Sequence, residues 1–227
     1  MLVGYAIFLI SAGVIGYEIL LMRLLSIIQW YHFAYMIISL ALLGFGASGT
    51  FIALAQRWLL PRFHLSFIIN ALLFAFTTAG NFILAQRIPL NPLEILWDRS
   101  QLLYLLVLYL LLSVPFFCAA NCIGLTFAQF KDQINRIYRF DLLGAGTGAL
   151  AIILLLFPFS PVTCLKILGA LGLFAAALMA LSHTLPRSRW LAVVFFSSGL
   201  ILPFAWPDAW LSLRISDYKG LSLALRV

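Results

Sequence analysis

Charged residues are scarce in this chain: Asp, Glu, Lys and Arg make up 9% of 227 residues, against roughly 25% in soluble domains. Together with 64% apolar residues and a mean hydropathy of +1.10, this scarcity excludes an ordinary water-soluble domain and indicates an integral membrane protein. Cysteine is also sparse. Cys118, Cys122 and Cys164 are an odd number, all inside apolar stretches, without the spacing of a disulfide framework. No Lys or Arg precedes the first apolar run, and that run is too long for a signal-peptide core, so it is expected to remain as the first helix. There is no clear internal repeat. The net charge of +7 sits mainly at the ends of apolar stretches, where basic residues meet lipid headgroups, and gives no ground for nucleic acid as a partner.

What is present is a succession of apolar windows of about 20 residues, the length a membrane span needs. They fall near 3–28, 33–56, 65–86, 101–128, 141–159, 162–182 and 190–206. The expected fold class is therefore an all-α integral membrane protein, a bundle of about seven transmembrane helices with short loops. Short connections predict antiparallel neighbours packed as one bundle. Residues 1–206 form the transmembrane domain in this reading. Residues 207–227, where Ser216, Asp217, Tyr218, Lys219 and Gly220 break the apolar pattern, read as the start of a soluble domain or tail whose remainder lies beyond Val227.

Arg57, Arg62, Lys131, Arg136, Arg139, Arg187 and Arg189 fall on one side of that arrangement, and Arg23, Arg87, Arg99 and Lys166 on the other. Positive-inside counting then favours a cytoplasmic N-terminus in a multi-pass protein of the plasma (inner) membrane. Arg214, Lys219 and Arg226 in the tail offset that bias.

Two charges lie inside the first span. Glu18 and Arg23 are five residues apart, about 140° around a helix, and so do not face one another well. Arg23 is near the span end and can snorkel. Glu18 is deeper: it can pair with a basic residue, meet a polar helix face, or stay protonated, and either a structural pair or a substrate or proton site would meet the same desolvation cost. The expected orientation of Glu18 is toward the bundle interior. His32 follows Trp30 and Tyr31 in an aromatic-belt position, which the short turn brings to the membrane surface of Arg23. In the third span Ser66, Asn70, Thr77 and Asn81 recur at spacings of four, seven and four, one helix face. Such a stripe faces protein: interhelical hydrogen bonding is the first reading and a polar cavity the second. The candidate intramembrane polar site is thus Glu18, Arg23, His32, Asn70, Thr77 and Asn81.

Cys118 and Cys122 are one turn apart beside Asn121, but without a third ligand they read as small hydrophobes, so no metal is expected. Pro115 removes a helix hydrogen bond and should kink the fourth span. The run from Asp141 through Gly144, Gly146 and Gly148 imitates a nucleotide-binding loop. Its context, an apolar span after a basic loop, excludes that reading. Gly144 with Gly148, and Gly44 with Ser48, instead have the small-residue spacing of close helix contacts. Tyr138, Arg139 and Asp141 read as a membrane-boundary motif.

Tyr17-Glu18 with Arg23-Leu24-Leu25-Ser26, the helix from Ser39 to Gly49, Pro115-Phe116-Phe117, Tyr138 with Asp141 and Gly144, and Tyr218 to Ser222 together resemble membrane-embedded spermidine-synthase-like proteins. The resemblance covers essentially the whole chain. It implies the N-terminal membrane half of a bacterial inner-membrane protein, anchoring a polyamine aminopropyltransferase-like domain. Decarboxylated S-adenosylmethionine is implied only for that soluble domain; the chain itself carries no catalytic residue and calls for no cofactor. A nucleoside-type donor is cytosolic, whereas the loop charges place the tail outside. Membrane lipids are the implied partners, together with other membrane subunits or a second copy of the chain. The alternative reading is a transporter or a membrane scaffold subunit of a larger complex.

Overall fold

The computed structural model describes residues 1–28, 32–91, 94, 97–182 and 186–205; at 28, 32–34, 186–188 and 202–205 only the backbone is described. Among the described residues the chain is helical throughout, without a strand. Seven long helices follow one another: α1 (Leu2–Ile28), α2 (His32–Leu59), α3 (Phe63–Ala85), α4 (Arg99–Gln129), α5 (Ile134–Leu155), α6 (Pro161–Leu181) and α7 (Pro186–Ala205). Single 3-10 turns, Leu60–Arg62 and Lys131–Gln133, link α2 to α3 and lead into α5.

Five apolar stretches are long enough to cross a membrane, one of which, Tyr35–Ala85, contains most of α2 and all of α3. Among the residues of α7 whose side chains are described, the apolar stretch is Arg189–Ile201. Local chemistry sets the helix starts. Asp98 caps α4 by accepting the Ser100 backbone N–H at 2.9 Å. Ser160 caps α6 by accepting from Thr163, with Pro161 at the first helical position. The Ser100 hydroxyl and N–H hold the exposed Asp98 carboxyl below its ordinary value.

Helix direction alternates, so helices two or four apart in sequence run parallel, and two such pairs, α1 with α5 and α2 with α4, make extensive contacts. Along α1 and α5, Gly4 lies against Phe140, Phe8 against Gly144, Ala12 against Gly148 and Gly16 against Ile152. Along α2 and α4, Gly44 meets Phe116 and Phe117, Ser48 meets Asn121, and Ile52 meets Gly124. Of the sequential neighbours, α3 packs on α4 and α6 on α7; α2 packs on α4 rather than on α3, and α5 and α6 both pack on α1. Each three-helix group is thus a fork with a third helix between its arms. Contacts of α3 join the groups: Gly172 of the antiparallel α6 sits against Ala71 and Ala75 of α3, while Phe74 of α3 reaches Gly13 of α1. Fully buried Ile7, Ile10, Leu20, Leu21, Leu24, Phe67, Phe74, Phe82 and Phe116 fill the centre.

Ring contact between Phe63 and Phe130, with centroids 5.6 Å apart, brings the α2–α3 and α4–α5 turns together. Arg57, Arg62, Lys131, Arg136 and Arg139 are all exposed around that end. Lys166 departs from the charge count made on the sequence. It is 3% exposed within α6, so it does not belong to the opposite surface.

Candidate functional site

Polar side chains inside the bundle concentrate on α3 and the faces it meets. Ser48 of α2 donates to Asn121 Oδ1 of α4 at 2.6 Å, Asn121 donates to Asn70 Oδ1 of α3 at 3.0 Å, and Asn70 donates to the Ser66 carbonyl at 2.8 Å. Three helices are joined by this ladder, and Ser48, Asn121, Asn70 and Ser66 are buried. Next to Asn121, the Cys122 thiol points at the Phe67 carbonyl at 3.6 Å, and one turn on Thr126 donates to the Cys122 carbonyl at 2.8 Å. In low-dielectric surroundings each of these groups would cost about 1–3 kcal/mol if left unpaired, so the ladder fixes the rotation of α4 between α2 and α3.

Asn81 has a separate task. Pro115 lacks an N–H, which frees the carbonyl four residues earlier, that of Leu111. Asn81 Nδ2 of α3 donates to the Leu111 oxygen at 2.7 Å. The neighbouring helix thereby supplies the donor that proline removes, the arrangement by which membrane helices tolerate proline. α4 runs unbroken from Arg99 to Gln129 with Pro115 buried inside it. Asn70 and Asn81 are therefore spent on α4. Thr77 is only half-buried and bonds the Leu73 carbonyl of its own helix at 2.6 Å. The fully buried threonine is Thr78, one position later, which bonds the Phe74 carbonyl. Periodicity alone placed Thr77 on the stripe, but on α3 the buried arc also turns toward α6.

The interior position on α1 belongs to Tyr17, not to Glu18. Tyr17 is fully buried against the ring of Phe116, centroids 5.3 Å apart, and its hydroxyl meets no hydrogen-bond partner among the described residues. About 100° further around the helix, Glu18 is half-buried, and Arg23 is exposed. No hydrogen bond or ion pair joins the two among the described residues. The side chain of His32 lies outside the described residues. Tyr138 and Arg139 are exposed near the start of α5, Tyr138 beside the Phe127 ring and Arg139 donating to the Asn135 carbonyl at 3.3 Å. Asp141 is half-buried and accepts a hydrogen bond from Ser11, a buried residue of α1. It is a tie between two helices as well as a residue near the boundary.

The described residues of the candidate polar site, Glu18, Arg23, Asn70, Thr77 and Asn81, are not brought together. Asn70 and Asn81 lie on the α3–α4 seam, Glu18 and Arg23 on α1. Two grooves among the described residues are apolar and lined by none of them: one of 230 Å³ between α1, α5 and α6, the other of 510 Å³ mainly between α6 and α7. Ser11 and the buried Lys166 were missed as interior groups, Ser11 because a lone serine in an apolar run carries no signal. The partner of Asn81 was within reach, since counting four residues back from Pro115 names Leu111. Among the described residues no three His, Cys, Asp or Glu side chains cluster in a way that could hold a metal ion. No family model, curated protein or solved structure matches the chain.

Proposed function

We propose that the chain is the seven-helix membrane module of a spermidine-synthase-like protein, anchoring an aminopropyltransferase-like domain in the bacterial inner membrane and without catalytic chemistry of its own. The observation that carries the membrane part is an inverted polarity. Leu42, Leu54, Leu103, Leu106, Leu142, Leu150, Val193 and Phe196 are exposed on α2, α4, α5 and α7, while Ser48, Asn70, Asn81 and Asn121 are buried and bonded. Apolar outside and hydrogen-bonded inside is what a hydrocarbon solvent selects. An anchoring role is supported by the fate of the motif residues. Tyr17, Gly44, Ser48, Phe116, Asp141 and Gly144 all sit at helix contacts, so the motif describes how the bundle is held rather than a reaction centre.

Seven crossings require Tyr35–Ala85 to turn back at Leu60–Arg62 and α7 to span. Reporter fusions after Arg62, Asn91, Gln133 and Ser160, together with transferase assay of the purified chain, test the proposal. The expected result is reporters on alternating sides and no aminopropyl transfer by these 227 residues. Same-side reporters at Arg62 and Asn91, or transfer by the chain unaided, would overturn it.

A further inference from the structure

We propose that the groove between α6 and α7 is a binding site for an anionic phospholipid of the bilayer, with an acyl chain in the groove and the phosphate at Arg189. This rests on the membrane reading above and adds a ligand to it. The groove holds 510 Å³, within the roughly 300–1,000 Å³ of small-molecule sites. Small residues, Ala177 and Ala192, form part of its lining, and Leu181, Phe196 and Leu200 supply apolar wall. Phe174 and Phe196 pack at 5.2 Å.

Position and charge select the occupant. The lining on α6 runs from Phe174 to Leu181; at about 1.5 Å per residue this is roughly 10 Å of length, most of one leaflet of a hydrocarbon core about 30 Å thick. An acyl chain fits that depth. The lining lies in the half of the bundle where α6 finishes and α7 begins, which is also the basic end. On α7, Val193, Phe196 and Leu200 line the groove, and Arg189 is four residues before Val193, hence on the same helix face one turn outside the apolar lining. Arg189 is exposed, and beside it Trp190 is 75% exposed. An arginine next to a tryptophan at a span end marks headgroup depth, and a guanidinium there matches a phosphodiester.

The test uses the full chain reconstituted in vesicles of equal phosphatidylglycerol and phosphatidylcholine, released gently, with retained lipid counted by native mass spectrometry. Wild type should retain phosphatidylglycerol preferentially. Arg189→Gln should reduce that preference about fivefold, the effect of one basic residue near an anionic surface, while leaving chain binding. Ser197→Phe fills the groove from an exposed lining position and should lower retention of both lipids. Equal retention of the two lipids by wild type, or retention unchanged by Ser197→Phe, would overturn the proposal. So would loss of self-association, rather than of lipid, on Ser197→Phe, which would make a second copy the occupant. Alkaline carbonate washing of the membranes separates the two failures. A chain washed free contradicts the membrane reading; one retained without lipid preference contradicts only the lipid site.

Discussion

The two forks of this bundle solve one problem by opposite means. In the first, α1 lies between α5 and α6, and the α1–α5 contact is made by removing side chains: Gly144 rests on the backbone of Phe8 and Gly148 on that of Ala12. In the second, α4 lies between α2 and α3, and a ladder of Ser48, Asn121 and Asn70 joins the three. Dispersion between close backbones sustains the first seam, and hydrogen bonds that lack competition from water sustain the second. Their failures should differ. The glycine seam is intolerant of volume, and the ladder is intolerant of losing one partner.

The largest effect is expected at Gly148. A Cβ there would fall inside the van der Waals shell of the Ala12 carbonyl, so Gly148→Leu must part the helices, at about 3 kcal/mol or more. Gly146, two residues earlier on the same helix, meets nothing within 4 Å. Gly146→Ala should be neutral or stabilise by up to about 1 kcal/mol through helix propensity. Thermal unfolding of both variants in detergent checks the contrast, and equal costs would break the account of the seam.

Next comes Asn121→Leu, which leaves the Ser48 hydroxyl and the Asn70 carbonyl oxygen without their partners. The expected cost is about 1–3 kcal/mol. A double-mutant cycle of Asn70→Ala with Asn121→Ala should return a coupling near 0.6 kcal/mol, as is usual between membrane helices. Additive costs would mean that the two amides do not depend on each other.

How much of this was legible follows the same division. Small-residue spacing at Gly144 with Gly148 and at Gly44 with Ser48 pointed to close contacts, because a missing side chain has one geometric consequence wherever it sits. The seven apolar windows lie close to the seven helices, since a long apolar run without helix breakers folds as one helix. The polar stripe of α3 was readable as a protein-facing arc, but not its pairing with Asn121, 51 residues away, because a period of 3.6 says nothing about what the face meets; only Leu111 could have been named, from its place four residues before Pro115. The same limit placed Glu18 inside, when the neighbouring Tyr17 takes that position. A tyrosine with one polar atom can be buried at less cost than a carboxylate, which prefers the flank of the seam.

Smallest is the effect at Tyr17. Its hydroxyl is buried without a partner among the described residues, so Tyr17→Phe should leave stability unchanged or raise it slightly, because only an unsatisfied group is removed. A loss of more than about 1 kcal/mol would show that the hydroxyl is bonded in the membrane.

The central claim is that the two buried asparagines of α3, Asn70 and Asn81, are consumed in holding α4 rather than in lining a path. Asn81 tests it most directly, through a double-mutant cycle with Pro115 read by unfolding in detergent. Asn81→Leu should cost about 1 kcal/mol beside Pro115, because the Leu111 carbonyl loses its donor. In a Pro115→Ala background the helix regains its own N–H at that carbonyl, and the cost should fall to nearly zero. An equal cost in both backgrounds would contradict the claim.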